Sequence, residues 1–376
     1  MSMEEPASAR LFDSFAHVSD PRRSNARHRL FDIFVIALGA VISGAEGWED
    51  MEEYGQAQAE WFQQFLALPH GIPSHDTFRR VLSRLKPDEL TPCFVNWVAA
   101  LRESLDGEIV AIDGKTLRRS FDQAASQGAI PMVSAWANAH RLVLGQLKVD
   151  DKSHEITAIP QLLRLLELEG AIVTIDAMGC QKEIAKTITE QGAEYVLALK
   201  DNHPTLHSEV QLFFEDVKAD RFDHITSARH TTTDADHGRL ETRHYWITSD
   251  IECLGVKGSW ANITSIGMVE SHRDVGGAVS SEQRFVLTSL PCDAVRFAHA
   301  VREHWGVENA LHWVLDVSFR EDDCRIRQGN GAQNMAVLRH MALNLLRREA
   351  GHKRGIKARR KRAGWDRDSL FQVLTG

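Results

Sequence analysis

Two short apolar runs, each closing on an aspartate, constrain this chain more than any other feature. Glu108-Ile109-Val110-Ala111-Ile112 ends at Asp113, and Ala171-Ile172-Val173-Thr174-Ile175 ends at Asp176. The first run is β-branched, free of polar residues after Glu108, and bounded by Gly107 and Gly114. It reads as an interior strand of a sheet covered on both faces, with the acid emerging at the C-terminal edge. That edge is where ligands bind in open α/β sheets. Two carboxylates meeting there do not both stay ionised without a cation between them. Magnesium is the natural candidate, because it takes one or two carboxylates and completes its shell with water and phosphate oxygens. The paired acids therefore point toward phosphoryl-transfer chemistry.

At 376 residues the chain has room for two or three structural units. Hydrophobic content of 43% and charged content of 26% describe a globular protein, and no apolar stretch approaches the ~20 residues that span a bilayer. The start, Met1-Ser2-Met3-Glu4-Glu5-Pro6, lacks the basic and apolar blocks of a signal peptide, so a cytoplasmic location with no membrane partner is expected. The five cysteines form no CxxC pair and are odd in number, which predicts reduced thiols rather than a disulfide framework or zinc knuckle. The net charge of −8 argues against a protein that coats nucleic acid without specificity. It hides a strongly basic stretch between Arg347 and Arg367, read either as a solvated tail or as a phosphate-tracking segment.

From about Leu11 to Leu105 the periodicity is helical. Arg29 to Leu38 predicts a buried helix, and Trp48, Met51, Tyr54, Trp61, Phe62, Phe65 and Leu66 recur at helical spacing. Another helix is predicted to start at Ser74 with that residue as its cap. Its Arg79 and Arg80 either lie on DNA phosphates or belong to an ordinary amphipathic surface helix. From Glu108 the period changes. Strands are predicted at 108–113, 132–138, 142–149, 171–176 and 194–199, with helices at about 156–166 and 181–191, a hairpin meander feeding parallel crossovers. After a helix at about 204–217, residues 222–290 return to strands near 241–248, 264–270 and 284–290, with a hairpin turn at Gly276-Gly277. Helical pattern resumes at 294–314 and 332–348.

The order of acids carries more weight than their spacing: one on the opening strand of the meander, one on the strand after the first helix, and Glu308 on a later helix. This arrangement resembles the ribonuclease-H-like fold of DDE nucleases and transposases. The segments Ala111-Ile112-Asp113-Gly114-Lys115-Thr116, Thr174 to Gln181, Leu199-Lys200-Asp201-Asn202, His237-Gly238-Arg239-Leu240-Glu241-Thr242-Arg243 and His304 to Asp322 resemble the insertion-sequence transposases that include the H-repeat-associated group. The resemblance covers roughly residues 10 to 350. It implies an α/β fold: a small helical domain at 1–105 with a possible DNA-binding role, and a ribonuclease-H-like catalytic domain at 106–350 with a β-rich insertion at about 222–290. A basic C-terminal tail at 351–376 would follow.

The resemblance further implies that Asp113, Asp176 and Glu308 are the catalytic acids, coordinating two magnesium or manganese ions that bind the scissile phosphate. Related proteins carry a Tyr and an Arg before the Glu; here those positions hold Val301 and His304. Arg302 or His304 is left to hold a phosphate, and Asp316, Glu321 and Asp322 compete with Glu308 as third ligand. A stripe of His304, Glu308 and His312 raises a zinc site, but a His-Glu zinc motif needs the Glu adjacent to the first of two close histidines, which is absent. The plainer reading of this helix packs Trp305, Leu311 and Leu315 into the core. Lys115 and Lys200 either contact DNA phosphates or are surface lysines, and Glu241 with Arg243 is explained by a cross-strand salt bridge. The expected function is a transposase cutting and joining the inverted ends of its own element on double-stranded DNA, as a homodimer or larger synaptic assembly. The alternatives are a catalytically silent DNA-binding descendant and a metal-dependent nuclease without strand transfer.

Overall fold

The computed structural model describes residues 14–22, 26–102, 104–121, 128–150, 154–236, 239–349 and 353–375. The opening residues through Asp13, and the His237-Gly238 start of one quoted motif, lie outside them. Leu30–Ser43 (α1) is apolar on every side, and it is buried on every side from Asp32 to Ile42. Trp48–Ala57 (α2), Ala59–Phe62 (α3), His75–Leu82 (α4) and Pro87–Leu101 (α5) follow and share one hydrophobic core with it, α2 and α4 packing directly against it. Ser74 does sit at the N-cap of α4, but its side chain makes no capping hydrogen bond. Among the described residues no single helix is long and apolar enough to cross a membrane.

Among the described residues the strands form one nine-stranded sheet. Ile109–Leu117 (β1), Ile130–Ala137 (β2) and Leu142–Lys148 (β3) make an antiparallel meander; Ile172–Ile175 (β4) and Glu194–Leu199 (β5) add on parallel to β1. The crossovers are Glu155–Leu165 (α6) and Lys182–Glu190 (α7). The predicted insertion contains four long strands, Ser227–Asp236 (β6), Arg239–Thr248 (β7), Ala278–Thr288 (β9) and, between the last two, Ser265–Val275 (β8). They are not a separate unit: β9 pairs with β5 from Val196↔Thr288 to Leu199↔Phe285, so the full order is β3-β2-β1-β4-β5-β9-β8-β7-β6. The turn between β8 and β9 falls at Gly276-Gly277, where both residues have positive φ and Asp274 accepts from the Gly277 N–H. Strand β6 was not foreseen, because Ser-Ala-Arg-His-Thr-Thr-Thr-Asp has no apolar alternation; it is the edge strand beyond β7.

Strand β1 does not end at Asp113. Its pairing with β4 stops at Ile112↔Ile175, but its pairing with β2 runs on to Leu117↔Ile130. Asp113 therefore stands mid-strand, where the parallel ladder to β4 ends and only the antiparallel meander with β2 and β3 continues. Pro204–Ala219 (α8) and Ala294–His304 (α9) cover the sheet, and after α9 the chain stays helical through a π-turn, Val307–His312, into Trp313–Phe319 (α10).

Gly331–Arg348 (α11) is buried from Gly331 to Leu346, polar residues included. Its Asn344 accepts from the Val143 N–H and donates to the Val143 carbonyl, both at 2.9 Å, so a buried amide closes part of the exposed edge of β3. The basic stretch is not a solvated tail. It folds as Ile356–Trp365 (α12) and Arg367–Thr375 (α13) against α1. Arg359 donates to the Leu346 and Glu349 carbonyls, and Arg360, 7% exposed, donates to Ser318 and Val41 carbonyls. These guanidiniums terminate helices instead of facing solvent.

Candidate active site

Because Ile112 and Ile175 are paired neighbours, Asp113 and Asp176 leave adjacent strands side by side. A cleft of about 240 Å³ opens there, lined by Asp113, Thr174, Asp176, Lys200, Arg284, His304, Trp305 and Glu308. Asp113 accepts from the Gly114 N–H at 2.9 Å, and Asp176 caps the turn Ala177–Gly179 by accepting from the Gly179 N–H at 3.3 Å. Burial, reinforced by the charges of Asp176, Glu308 and Glu155, pushes the Asp113 carboxyl up to about 7. At neutral pH the site thus carries more acid than its environment supports.

Glu308 reaches the cleft from the π-turn. Single π-turns within longer helices are rare and recur at functional sites. Gly306 makes this placement possible: a methyl there would collide with Asn138 Oδ1, which accepts from Trp136 Nε1. The π-turn also breaks the stripe read from sequence. His304 Nδ1 contacts Thr174 Oγ1 at 3.0 Å, whereas His312 Nδ1 stands 3.4 Å from Asp113 Oδ2. Burial lowers the pKa of His304, and burial with the Lys115 charge pushes His312 down to about 4. Both rings are neutral at pH 7, so neither supplies a cation. Leu311 and Leu315 are buried as expected, but Trp305 is 36% exposed and walls the cleft.

Other predicted site residues fall elsewhere. Lys115 is only 12% exposed and is not available to a phosphate; its Nζ pairs with Asp316, with Glu321 at 3.0 Å and with Asp322 at 3.7 Å. The three acids that competed with Glu308 are thereby engaged by Lys115. Arg79 is tied to Asp76 and Gln328, Arg80 donates to the Asp76 carbonyl, and neither lines the cleft. Lys200 does line it, while Arg302 lies in an adjoining cleft. Among the described residues, no three His, Cys, Asp or Glu side chains are gathered closely enough to enclose a metal ion.

One residue escaped the sequence reading. Glu155, in the first turn of α6, lies against Gly114 so closely that a methyl on that glycine would strike its carboxylate. Its own pKa is raised by burial and by Asp176. In sequence it is indistinguishable from the acid that commonly opens a helix.

The comparisons with known proteins agree with the class that this sheet and acidic cleft suggest. Residues 104–345 match the family model described as "Transposase DDE domain", and residues 12–98 match the model described as "DDE_Tnp_1-associated". The chain belongs to the DDE transposase family, in the H-repeat-associated group. It is 39% identical over 374 residues, 98% of each chain, to YhhI of Escherichia coli K12, a protein named as an H repeat-associated transposase. It is 40% identical to YncI of Escherichia coli O157:H7, also named as a transposase, over 97% of this chain and 94% of that one. A piggyBac transposase synaptic complex with hairpin DNA aligns with a TM-score of 0.45 at 11% identity, over 99% of this chain and 80% of that one; at that score a common fold does not follow.

Proposed function

We propose that this transposase cuts and rejoins DNA strands at the inverted ends of its own element, with Asp113, Asp176 and Glu308 as its catalytic acids. The observation that carries the reading is their convergence: three acids from β1, β4 and the π-turn line one cleft, where burial, with the neighbouring acids adding to it, raises Asp113 to about 7. The first five strands, ordered β3-β2-β1-β4-β5 with only β2 antiparallel to its neighbours, support a ribonuclease-H-like core.

The donor set fits a hard divalent cation. Magnesium is commonly held by one or two carboxylates, with water and substrate phosphate completing the shell, so an enclosing cage of three side chains is not required. Asp113 and Asp176 would hold it, with Glu308 facing them across the cleft. Magnesium or manganese, as one ion or two, would supply Lewis-acid activation of the attacking oxygen and neutralisation of the leaving oxygen. The chain's own part is positional. Asp113 gives up its proton as positive charge arrives, Lys200 and Arg284 offer charge to the phosphate oxygens, and neutral His304 braces Thr174 under the floor. Joining two element ends requires two active sites in proximity, so a dimer or larger synaptic assembly is the expected working form.

The test incubates the purified protein with DNA carrying the flanks of its gene, with magnesium or manganese and with chelator, beside Asp176→Asn. Metal-dependent ends joined into a target, absent in the variant, support the proposal. Cutting without joining would make the protein a nuclease, and binding without either would make it a silent DNA-binding descendant.

A further inference from the structure

Beside the acidic cleft, and sharing its wall of Arg284, Val301, Trp305 and Glu308, lies a second cleft of about 260 Å³. Five arginines face it: Arg239 and Arg243 from β7, Arg273 from β8, Arg284 from β9 and Arg302 from α9. The residues come from the segment Arg239-Leu240-Glu241-Thr242-Arg243, from β8 and β9 beyond it and from α9, and the catalytic acids give that segment no role.

The arginines are held by few acids. Glu241, 4% exposed, is shared by Arg243 at 2.7 Å, Arg239 at 3.3 Å and Arg273 at 3.8 Å. Glu241 and Arg243 are thus neighbours on one face of β7, not a cross-strand pair; across the strands Arg243 reaches diagonally to Asp234 at 2.6 Å, and Glu241 has Arg273 opposite it on β8. Asp234 also serves Arg302 at 3.6 Å, and Glu282 takes Arg284. Five guanidiniums against Glu241, Asp234, Glu282 and the wall residue Glu308 leave a formal excess of one positive charge (5 − 4). Arg239, Arg273 and Arg302 keep 42%, 50% and 48% of their side-chain surface exposed, so their donors remain available. A second observation is independent of charge: Tyr245, only 1% exposed, lines the same cleft, and its buried hydroxyl finds no hydrogen-bond partner among the described residues. Buried hydroxyls are normally satisfied.

We propose that this cleft is a phosphate-binding pocket that grips a backbone phosphate of the DNA strand next to the one held at Asp113, Asp176 and Glu308. The inference rests on the DNA-processing reading above. Glu241 acts as the buried anchor that sets the guanidinium planes, the exposed arginine edges take the phosphate oxygens, and the Tyr245 hydroxyl donates the remaining hydrogen bond. The pocket fixes where the strand lies, without reading its bases.

The experiment measures binding of fluorescent duplexes by anisotropy in chelator across a sodium chloride series. One duplex carries the flank of the gene and one a scrambled sequence; the proteins are wild type, Arg273→Gln, Arg302→Gln, Tyr245→Phe and the control Arg164→Gln on α6. Each arginine variant should weaken binding several-fold on both duplexes and flatten the log–log salt slope by roughly one phosphate contact. Tyr245→Phe should weaken it about two- to five-fold with the slope unchanged, since no charge is lost. Arg164→Gln should match wild type. Variants with unaltered melting temperature and wild-type slopes would overturn the pocket alone, as would a loss confined to the flank duplex. Wild type that binds neither duplex would overturn the pocket and the DNA-processing reading together.

Discussion

Asp113 and Lys115 sit two residues apart on β1, and each has three acidic side chains around it. Around Asp113 stand Asp176, Glu308 and Glu155; around Lys115 stand Asp316, Glu321 and Asp322. In the second cluster Lys115 supplies a counter-charge, although burial still raises Asp322. Glu321 is 3% exposed, and although burial acts to raise its pKa, Lys115 and Arg339 hold it below the ordinary carboxylate value. In the first cluster no Lys or Arg among the described residues is bonded to Asp113, whose pKa goes to about 7. The same chemistry is structural where the fold supplies the counter-charge and available for work where it does not.

Substitutions should separate the two clusters. Asp113→Asn or Asp176→Asn is expected to cut strand cleavage by about 10²–10³-fold or more, with folding and DNA binding retained. A gel assay beside a thermal melt checks this, and a variant that cleaves like wild type would dissolve the distinction. Lys115→Met should do the reverse to the fold, costing about 3–5 kcal/mol in urea denaturation because it strands buried Glu321. Between these lies Gly306→Ala, which forces the π-turn away from Asn138 and should cost about 1–3 kcal/mol while also lowering cleavage by displacing Glu308. Retention of full activity in Gly306→Ala would show that Glu308 needs no such placement.

The smallest effect is the pH dependence of the metal-free protein. A carboxyl whose folded pKa is raised from 3.8 to about 7 contributes stability that is fully present below about 3.8 and is lost as pH rises through about 7. A divalent ion should oppose that loss, since it binds the ionised form. Melting temperatures between pH 5 and 8 should therefore fall with pH in chelator and fall less with magnesium, and Asp113→Asn should abolish the difference. Equal slopes in wild type and variant would remove Asp113 as the titrating group.

Much of the fold was legible because burial leaves a period in the sequence. The runs before Asp113 and Asp176 and the helical leader all appear close to where periodicity put them. What failed has a common cause. Strand β6 is polar on both faces, Lys115 is surrounded by residues about 200 positions away, and the arginines of α12 find carbonyls of α10, α11 and α1. Periodicity reports how much a segment is covered, not by what.

By itself the sequence determined that two β-branched runs would be interior strands and that each would lead directly into an aspartate. That follows from local preference and from the cost of burying anything else there. That β1 runs on past Asp113 came from its pairing with β2. Only the tertiary structure decided which acids meet a cation and which meet one another, placed Glu155 against Gly114, and turned Glu308 into the cleft through a π-turn. Charge compensation depends on neighbours brought together across the whole chain, and no local pattern encodes it.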